Sequence, residues 1–229
     1  MDYDRDYYRL NAQDGDRPAL KMYDRLWRRY VGQAPVLEFG CGVGHFANRL
    51  SRHSDVFGLE GNSFAIEQLK IVAPRVKVIT ETKDLSDHSV GSIVALHVLE
   101  HISDADLVLI GAEFKRILRP KGRMLVVMPD LSGKAHALKG KRWSAFSDST
   151  HINLKSASDW QNLFEVQWNF KVTKTFSDGF YDFPYGTNRF VSGPGDALRA
   201  FRTLVQWLAA RPILRRGDGE NVVFILEAI

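Results

Sequence analysis

Residues 35–48, PVLEFGCGVGHFAN, constrain this chain more than any other stretch. Val36, Leu37 and Phe39 make an apolar run short enough for a buried strand. Gly40, Gly42 and Gly44 follow at i, i+2 and i+4, and then a helix begins. Glycines so spaced let backbone approach a ligand where a Cβ would collide. A strand, a glycine turn and a helix in succession form the nucleotide-binding corner of a doubly wound α/β sheet. The dinucleotide fingerprint puts its third glycine at i+5, beside a pyrophosphate. Here i+5 is His45 and the glycine comes one residue early, which argues against a nicotinamide dinucleotide.

The rest of the chain continues the alternation. Residues 1–18 read as an irregular arm carrying Tyr3, Tyr7 and Tyr8. Pro18 suits the first turn of a helix reaching about Tyr30, with Leu20, Tyr23, Leu26, Trp27 and Tyr30 at helical spacing. Strands are predicted at 35–39, 55–59, 76–80, 92–98 and 123–129, and helices at 44–52, 63–72 and 104–118 between them. Asn62 or Ser63 can cap the second of these helices. Such alternation means a parallel sheet covered on both faces. Residues 130–155 read as a long irregular segment, followed by a helix at 156–166 and a strand at 170–176. A helix at 196–210 and a closing strand, VVFILEAI, antiparallel to its neighbour, complete the chain.

The 229 residues, 45% of them hydrophobic, suffice for one domain with a full core. The single cysteine, Cys41, excludes an internal disulfide and a cysteine metal site. No stretch approaches the roughly 18 apolar residues of a membrane helix. MDYDRDYYRL lacks the apolar run of a signal peptide, so a cytoplasmic protein is expected. The net charge of +4 gathers at Lys134, Lys139, Lys141 and Arg142, and at Arg211, Arg215 and Arg216, which read as solvated surface. With no RNA-binding appendage and no long basic run, DNA is not expected as a partner and RNA is disfavoured.

Taken in order, these segments resemble the class I S-adenosylmethionine-dependent methyltransferases over nearly the whole chain, most closely from Val36 to Pro129. VLEFGCGVGHFANRL resembles the family's first motif, with an acidic residue, Glu38, ahead of the glycine turn. Glu60 ends the second strand about 20 residues after Gly40. ETKDL at 81–85 resembles the stretch after the third strand, with Glu81 rather than Asp84 at the acidic position. HVLEHISD at 97–104 resembles the fourth-strand motif, and FKRILRPKGRMLVVMP its continuation. The resemblance implies a Rossmann-like three-layer sandwich with a seven-stranded, mostly parallel sheet in order 3-2-1-4-5-7-6, the last strand antiparallel. It divides the chain into an arm and helix (1–34), a cofactor-binding half (35–130) and acceptor-side loops, an insert helix and closing strands (131–229).

It also implies S-adenosylmethionine as cofactor and S-adenosylhomocysteine as product. Glu38 would attract the ammonium, Gly40, Gly42 and Gly44 would present amides to the methionine tail, Glu60 would accept the ribose hydroxyls and Glu81 would meet the adenine amino group. His97 would face the cofactor crevice. Tyr7 and Tyr8 either close over the cofactor as a lid or pack on the domain's edge. YDRDYY and DGFYDFPY further resemble bacterial enzymes that methylate surface-polysaccharide sugars or specialised metabolites. The acceptor is therefore expected to be a small-molecule hydroxyl. The alternatives are a quinone, lipid or RNA acceptor, or a non-catalytic binding or partner subunit that keeps the fold.

For a hydroxyl acceptor His151 is the candidate general base, with His97 and Asp148 as rivals. Trp143, Phe146, Phe180, Tyr181, Phe183 and Tyr185 can line an aromatic acceptor pocket. HVLEH also fits an inverted zinc-protease spacing, but its first histidine ends a β-like run, so no metal is expected. His101 reads as structural, and Cys41 as a small residue that fits the turn. Helix 196–210 places Leu198, Phe201, Leu204, Val205 and Leu208 on one face amid arginines. A membrane surface can receive such a helix, but packing on the sheet or against a second copy is favoured, as a monomer or homodimer.

Overall fold

The computed structural model describes residues 4–10, 14–179 and 194–229. The side chains of Leu10 and of residues 194–197 lie outside that description, as do those of the predicted pocket residues Phe180, Tyr181, Phe183 and Tyr185. Seven strands form one sheet: β1 (Val36–Phe39), β2 (Val56–Leu59), β3 (Lys77–Ile79), β4 (Val90–Leu96), β5 (Leu118–Pro129), β6 (Phe170–Ser177) and β7 (Asn221–Ala228). Their order is β3-β2-β1-β4-β5-β7-β6. The pairs from β3 to β5 are parallel, and β7 is antiparallel to both β5 and β6.

Side-chain alternation along the strands divides the core between two faces. Leu37, Ile93, Ala95, Met124, Val126 and Phe224 point into one cluster; Val36, Val94, Leu125, Val127, Val223 and Ile225 point into the other. The first face is covered by α5 (Asp104–Ile117), by α7 (Ala157–Asn162) and by the π-helical turn that continues it, through Leu107, Phe114, Trp160 and Phe164. The second is covered by α2 (Pro18–Tyr30), α3 (His45–Leu50) and α4 (Ser63–Val72), through Leu26, Trp27, Phe46, Leu50 and Leu69. Glu38 shares the second face with Val36. A carboxylate therefore sits inside an apolar layer.

Helix ends follow their sequence signals. The Asn62 side chain accepts from the Ala65 amide, Ser103 caps α5, and Ser156 with Asp159 makes a capping box for α7. Three segments depart from expectation. The arm forms a short helix, α1 (Arg5–Leu10), because Tyr7 and Tyr8 are buried with Val43 and Ala65. Residues 130–155 are more ordered than predicted: α6 (Lys134–Lys139) and two 3-10 turns fold around buried Trp143, whose Nε1 donates to Glu220. Trp143 is 1% exposed, so it anchors that segment rather than lining an open pocket, whereas Phe146 is 45% exposed.

The third departure is α8 (Pro194–Ala209). Leu198, Phe201, Leu204 and Leu208 are each more than half exposed, so the apolar stripe does not pack on the sheet. The helix docks through polar groups instead. Buried Gln206 donates to the Ser177 carbonyl and accepts from the Ile213 and Leu214 amides, and Trp207 Nε1 donates to the Pro18 carbonyl. No helix among the described residues is long and apolar enough to cross a membrane.

Candidate active site

The strand order reverses at β1 and β4, and a crevice opens beyond strand ends at such a switch point. Gly40, Glu60 and His97 each directly follow the last residue of β1, β2 and β4, and Glu81 lies two residues past β3. The glycine turn is held down by the Gly40 and Cys41 amides, which donate to the Leu59 carbonyl. All three glycines have positive φ. At Gly40 a Cβ would stand 2.5 Å from Val98 Cγ2, and at Gly44 2.9 Å from Leu69 Cδ1. The turn thus depends on glycine for both conformation and space.

Two hollows flank this turn. One is lined by Glu38, Gly40, Gly42, Gly44, His97, Tyr23, Asp178 and Asn221, among others. The other lies beyond β2 and β3, lined by Phe39, Leu59, Glu81, Leu109, Ile110 and Arg116. Glu38 is buried, and its Oε2 has no hydrogen-bond partner among the described residues. Burial pushes its carboxyl well above the ordinary value, and the nearby Glu60 charge pushes the same way. Glu60 is the opposite case: Oε2 accepts from the Gly42 amide and Oε1 from the Gly61 and Asn62 amides. Glu81 is exposed and paired with Lys83. Tyr8 lies on the turn, its ring carbon 3.4 Å from where a Gly42 Cβ would be.

A second cluster adjoins the first hollow. His97 takes a positive φ of 52° after β4, and its Nδ1 stands 3.5 Å from Glu100 Oε1. Glu100 and His101 lie on a 3-10 turn (Leu99–His101). The distant loop 148–153 is laced onto that turn: the Asn153 amide donates to the Glu100 carbonyl and its Nδ2 to the Ile102 carbonyl. This brings His151 against His101, ring centroids 4.6 Å apart.

The tautomers follow from the acceptors. His151 Nδ1 is 2.7 Å from the Ala145 carbonyl and must donate to it. The Thr150 hydroxyl donates its one proton to Asp148 Oδ1, so it accepts from His101 Nδ1 at 2.8 Å. Each Nε2 is left outside these hydrogen bonds, that of His151 standing 3.9 Å from Asp148 Oδ2. Asp148 also accepts from the Thr150 amide and, on Oδ2, from the Tyr7 hydroxyl at 3.0 Å. Burial alone would raise its carboxyl, but Thr150, the His151 charge and Tyr7 outweigh it and hold the group below its ordinary value. A carboxylate so satisfied is the weakest base of the three candidates. For Glu100 too, burial would raise the carboxyl; His97, His101 and His151 outweigh it and hold it low. Burial lowers His101. Cys41 is buried and its thiol is pushed up, chiefly by burial, which fits a packing residue and not a nucleophile.

These features fit a zwitterionic adenosine ligand: an unpartnered buried carboxylate for an ammonium, and a turn that Cβ atoms would fill. A family model described as a methyltransferase domain matches residues 9–175 of the chain. The chain belongs to the class I S-adenosylmethionine-dependent methyltransferases. The chain is 28% identical over 138 residues to an S-adenosyl-L-methionine-dependent Diels-Alderase of Talaromyces variabilis. The match covers 54% of the chain and 47% of that relative, so the chain spans about half the length of that curated relative. In fold it is similar to a SAM-dependent methyltransferase from Archaeoglobus fulgidus, with TM-score 0.60, 14% identity, and 91% and 94% of the two chains covered. It is equally similar to geranyl diphosphate C-methyltransferase from Streptomyces coelicolor A3(2), solved with Mg2+, geranyl diphosphate and S-adenosyl-L-homocysteine, with TM-score 0.60, 14% identity, and 90% and 80% covered.

One wall of the first hollow, formed by Tyr23, Asp178 and Asn221, carries no sequence motif. Tyr23 and Asn221 both donate to Asp178 Oδ2, at 2.8 and 2.7 Å, in a buried network. Burial and then Asp178 raise the Tyr23 phenol well above its ordinary value, so it stays a donor. Tyr23 is concealed in a helical stripe, and the other two lie at the end of β6 and the start of β7, far from any motif.

Proposed function

We propose that this methyltransferase acts on a hydroxyl of a small molecule, a sugar or a specialised metabolite. When bound, S-adenosylmethionine supplies a methyl group activated as a sulfonium. Glu38 would hold its ammonium, the Gly40–Gly44 backbone its tail, Glu60 its ribose and Glu81 its adenine. Tyr8, packed on the turn, would exclude water from that side. The acceptor would lie on the histidine side, where His151 and His97 can take a hydroxyl proton and Asp148 orders the loop through Thr150 and Tyr7. One observation carries this reading: His97 lines the hollow that holds Glu38 and also reaches Glu100, so the imidazole cluster adjoins the methyl-donor site. The name of the geranyl diphosphate C-methyltransferase supports a small-molecule acceptor.

A tritiated-methyl transfer assay across sugar, small-phenol, quinone and RNA pools tests it. Label is expected in a hydroxyl-bearing small molecule, and label confined to RNA would overturn the reading. His151→Ala is expected to slow transfer by about 100-fold while S-adenosylhomocysteine affinity is unchanged; full activity would remove His151 from the chemistry. The Diels-Alderase relative favours a second reading, cofactor-dependent catalysis without methyl transfer. Acceptor conversion without S-adenosylhomocysteine release would select it.

A further inference from the structure

We infer that Glu100, His101 and His151 form a binding site for a divalent first-row transition-metal cation, placed to hold the acceptor's oxygen beside His97. The inference rests on the hydroxyl-acceptor reading for the purpose of the site, but not for its existence. One donor atom from each of the three residues lies within 4.8 Å of the other two. Glu100 is 0% exposed, and neither of its carboxylate oxygens has a hydrogen-bond partner among the described residues. His97 Nδ1 approaches only to 3.5 Å. Burying a carboxylate without close donors is costly; three imidazoles face this one but none stands within close hydrogen-bond distance, and a cation between them would complete its contacts.

The imidazoles are prepared in the manner of metal ligands. Each spends Nδ1–H on a fixed acceptor, the Ala145 carbonyl for His151 and Thr150 for His101, and leaves Nε2 outside that hydrogen bond, with Asp148 Oδ2 3.9 Å from the Nε2 of His151. Such outer hydrogen bonds fix the tautomer and orientation of a ligating histidine. Asp148 extends the arrangement by accepting from the Thr150 hydroxyl. The frame stands on Asn153, which ties the His151 loop to the Glu100 turn without help from any cation. Two imidazoles and one carboxylate suit zinc, iron, cobalt or nickel better than magnesium or calcium, and leave coordination positions open for an exogenous oxygen.

HVLEH was expected to be a false zinc pattern because His97 and His101 cannot share a helical face, and they do not. The second imidazole comes instead from position 151, through folding. His151 then acts as a ligand, and His97 is left as the proton acceptor. A cation held there would lower the pKa of an acceptor hydroxyl, and His97, whose Nδ1 stands 3.5 Å from Glu100, is the imidazole near enough to receive that proton.

The test uses the full chain, tag-free and stripped with chelator, titrated with Co2+ and followed by visible ligand-field absorption and calorimetry. One equivalent is expected to bind, with affinity falling on the order of 100-fold in Glu100→Gln and in His151→Ala. S-adenosylhomocysteine binding, measured on the same samples, reports that each variant is folded. No ligand-field band, or equal Co2+ affinity in wild type and both variants, would overturn the site. S-adenosylhomocysteine binding without Co2+ binding overturns the cation site and leaves the methyltransferase reading standing. Glu100-dependent Co2+ binding with methyl label confined to RNA upholds the site and overturns the hydroxyl reading.

Discussion

The crevice has two unlike walls. The glycine wall comes from residues 38–44 and is made mostly of backbone, with Glu38 as an unpartnered carboxylate behind it. The histidine wall reaches the hollow through His97; behind it stand side chains of residues 100–101 and 148–151, joined by hydrogen bonds across about fifty positions of sequence. The first holds its shape through positive φ at all three glycines and through lack of room for a Cβ at Gly40 and Gly44. The second holds its shape only while a loop stays laced to a 3-10 turn. The first wall can therefore be read from a short run of sequence, and the second only from the folded chain.

The largest expected effect breaks the glycine wall. Gly40→Ala meets Val98 Cγ2 at 2.5 Å at a φ of 69°. It should cost about 3 kcal/mol, from roughly 1–2 for left-handed backbone and 1–3 for overpacking, read as the shift in a denaturant midpoint. An unchanged midpoint would mean that the turn relaxes freely. Glu38→Gln separates stability from binding. Because the folded carboxyl is raised, its stabilising contribution is full below the ordinary carboxylate range and is lost as pH rises through the folded value. At neutral pH the variant should melt higher than wild type yet bind S-adenosylhomocysteine more weakly by about 1.5–3 kcal/mol, the worth of a hydrogen bond to a charged group. Equal losses in both would make Glu38 a purely structural residue.

The same carboxyl predicts a proton signal. Between the ordinary carboxylate range and the raised value, ligand binding should release a proton from Glu38, so calorimetric enthalpies should vary with the buffer's ionisation enthalpy in wild type and not in Glu38→Gln. The smallest effect concerns the tie between the walls. Tyr7 donates to Asp148 from the arm that covers the glycine turn. Tyr7→Phe should cost about 1 kcal/mol and raise amide exchange in the 148–153 loop. Exchange confined to the arm would show the walls to be independent.

Legibility follows the same division. The strands, the glycine turn and the helix started by Asn62 were readable because each depends on neighbours within a few residues, through apolar runs, glycine spacing and capping; the strand order followed from the family resemblance and not from any local signal. His151 was readable as a residue type in a loop, but its contact with the His101 ring was not, since HVLEH alone places no second imidazole. Tyr23, Asp178 and Asn221 carried no local signal, being polar residues made meaningful by tertiary contact. The stripe on α8 misled because helical amphipathicity ordinarily marks the packed face; here Gln206 and Trp207 supply specific polar anchors, and the apolar face turns outward.

One titration tests the central claim, that the wall of Glu38, the three glycines and Glu60 is the cofactor site. S-adenosylhomocysteine is titrated calorimetrically into the wild type and into Glu60→Ala, which loses the carboxylate now bonded to the Gly42, Gly61 and Asn62 amides. One site is expected in the wild type, with affinity reduced by about tenfold or more in the variant, the worth of one charge-assisted hydrogen bond. Absence of binding at millimolar ligand, or identical affinity in both proteins, would contradict it.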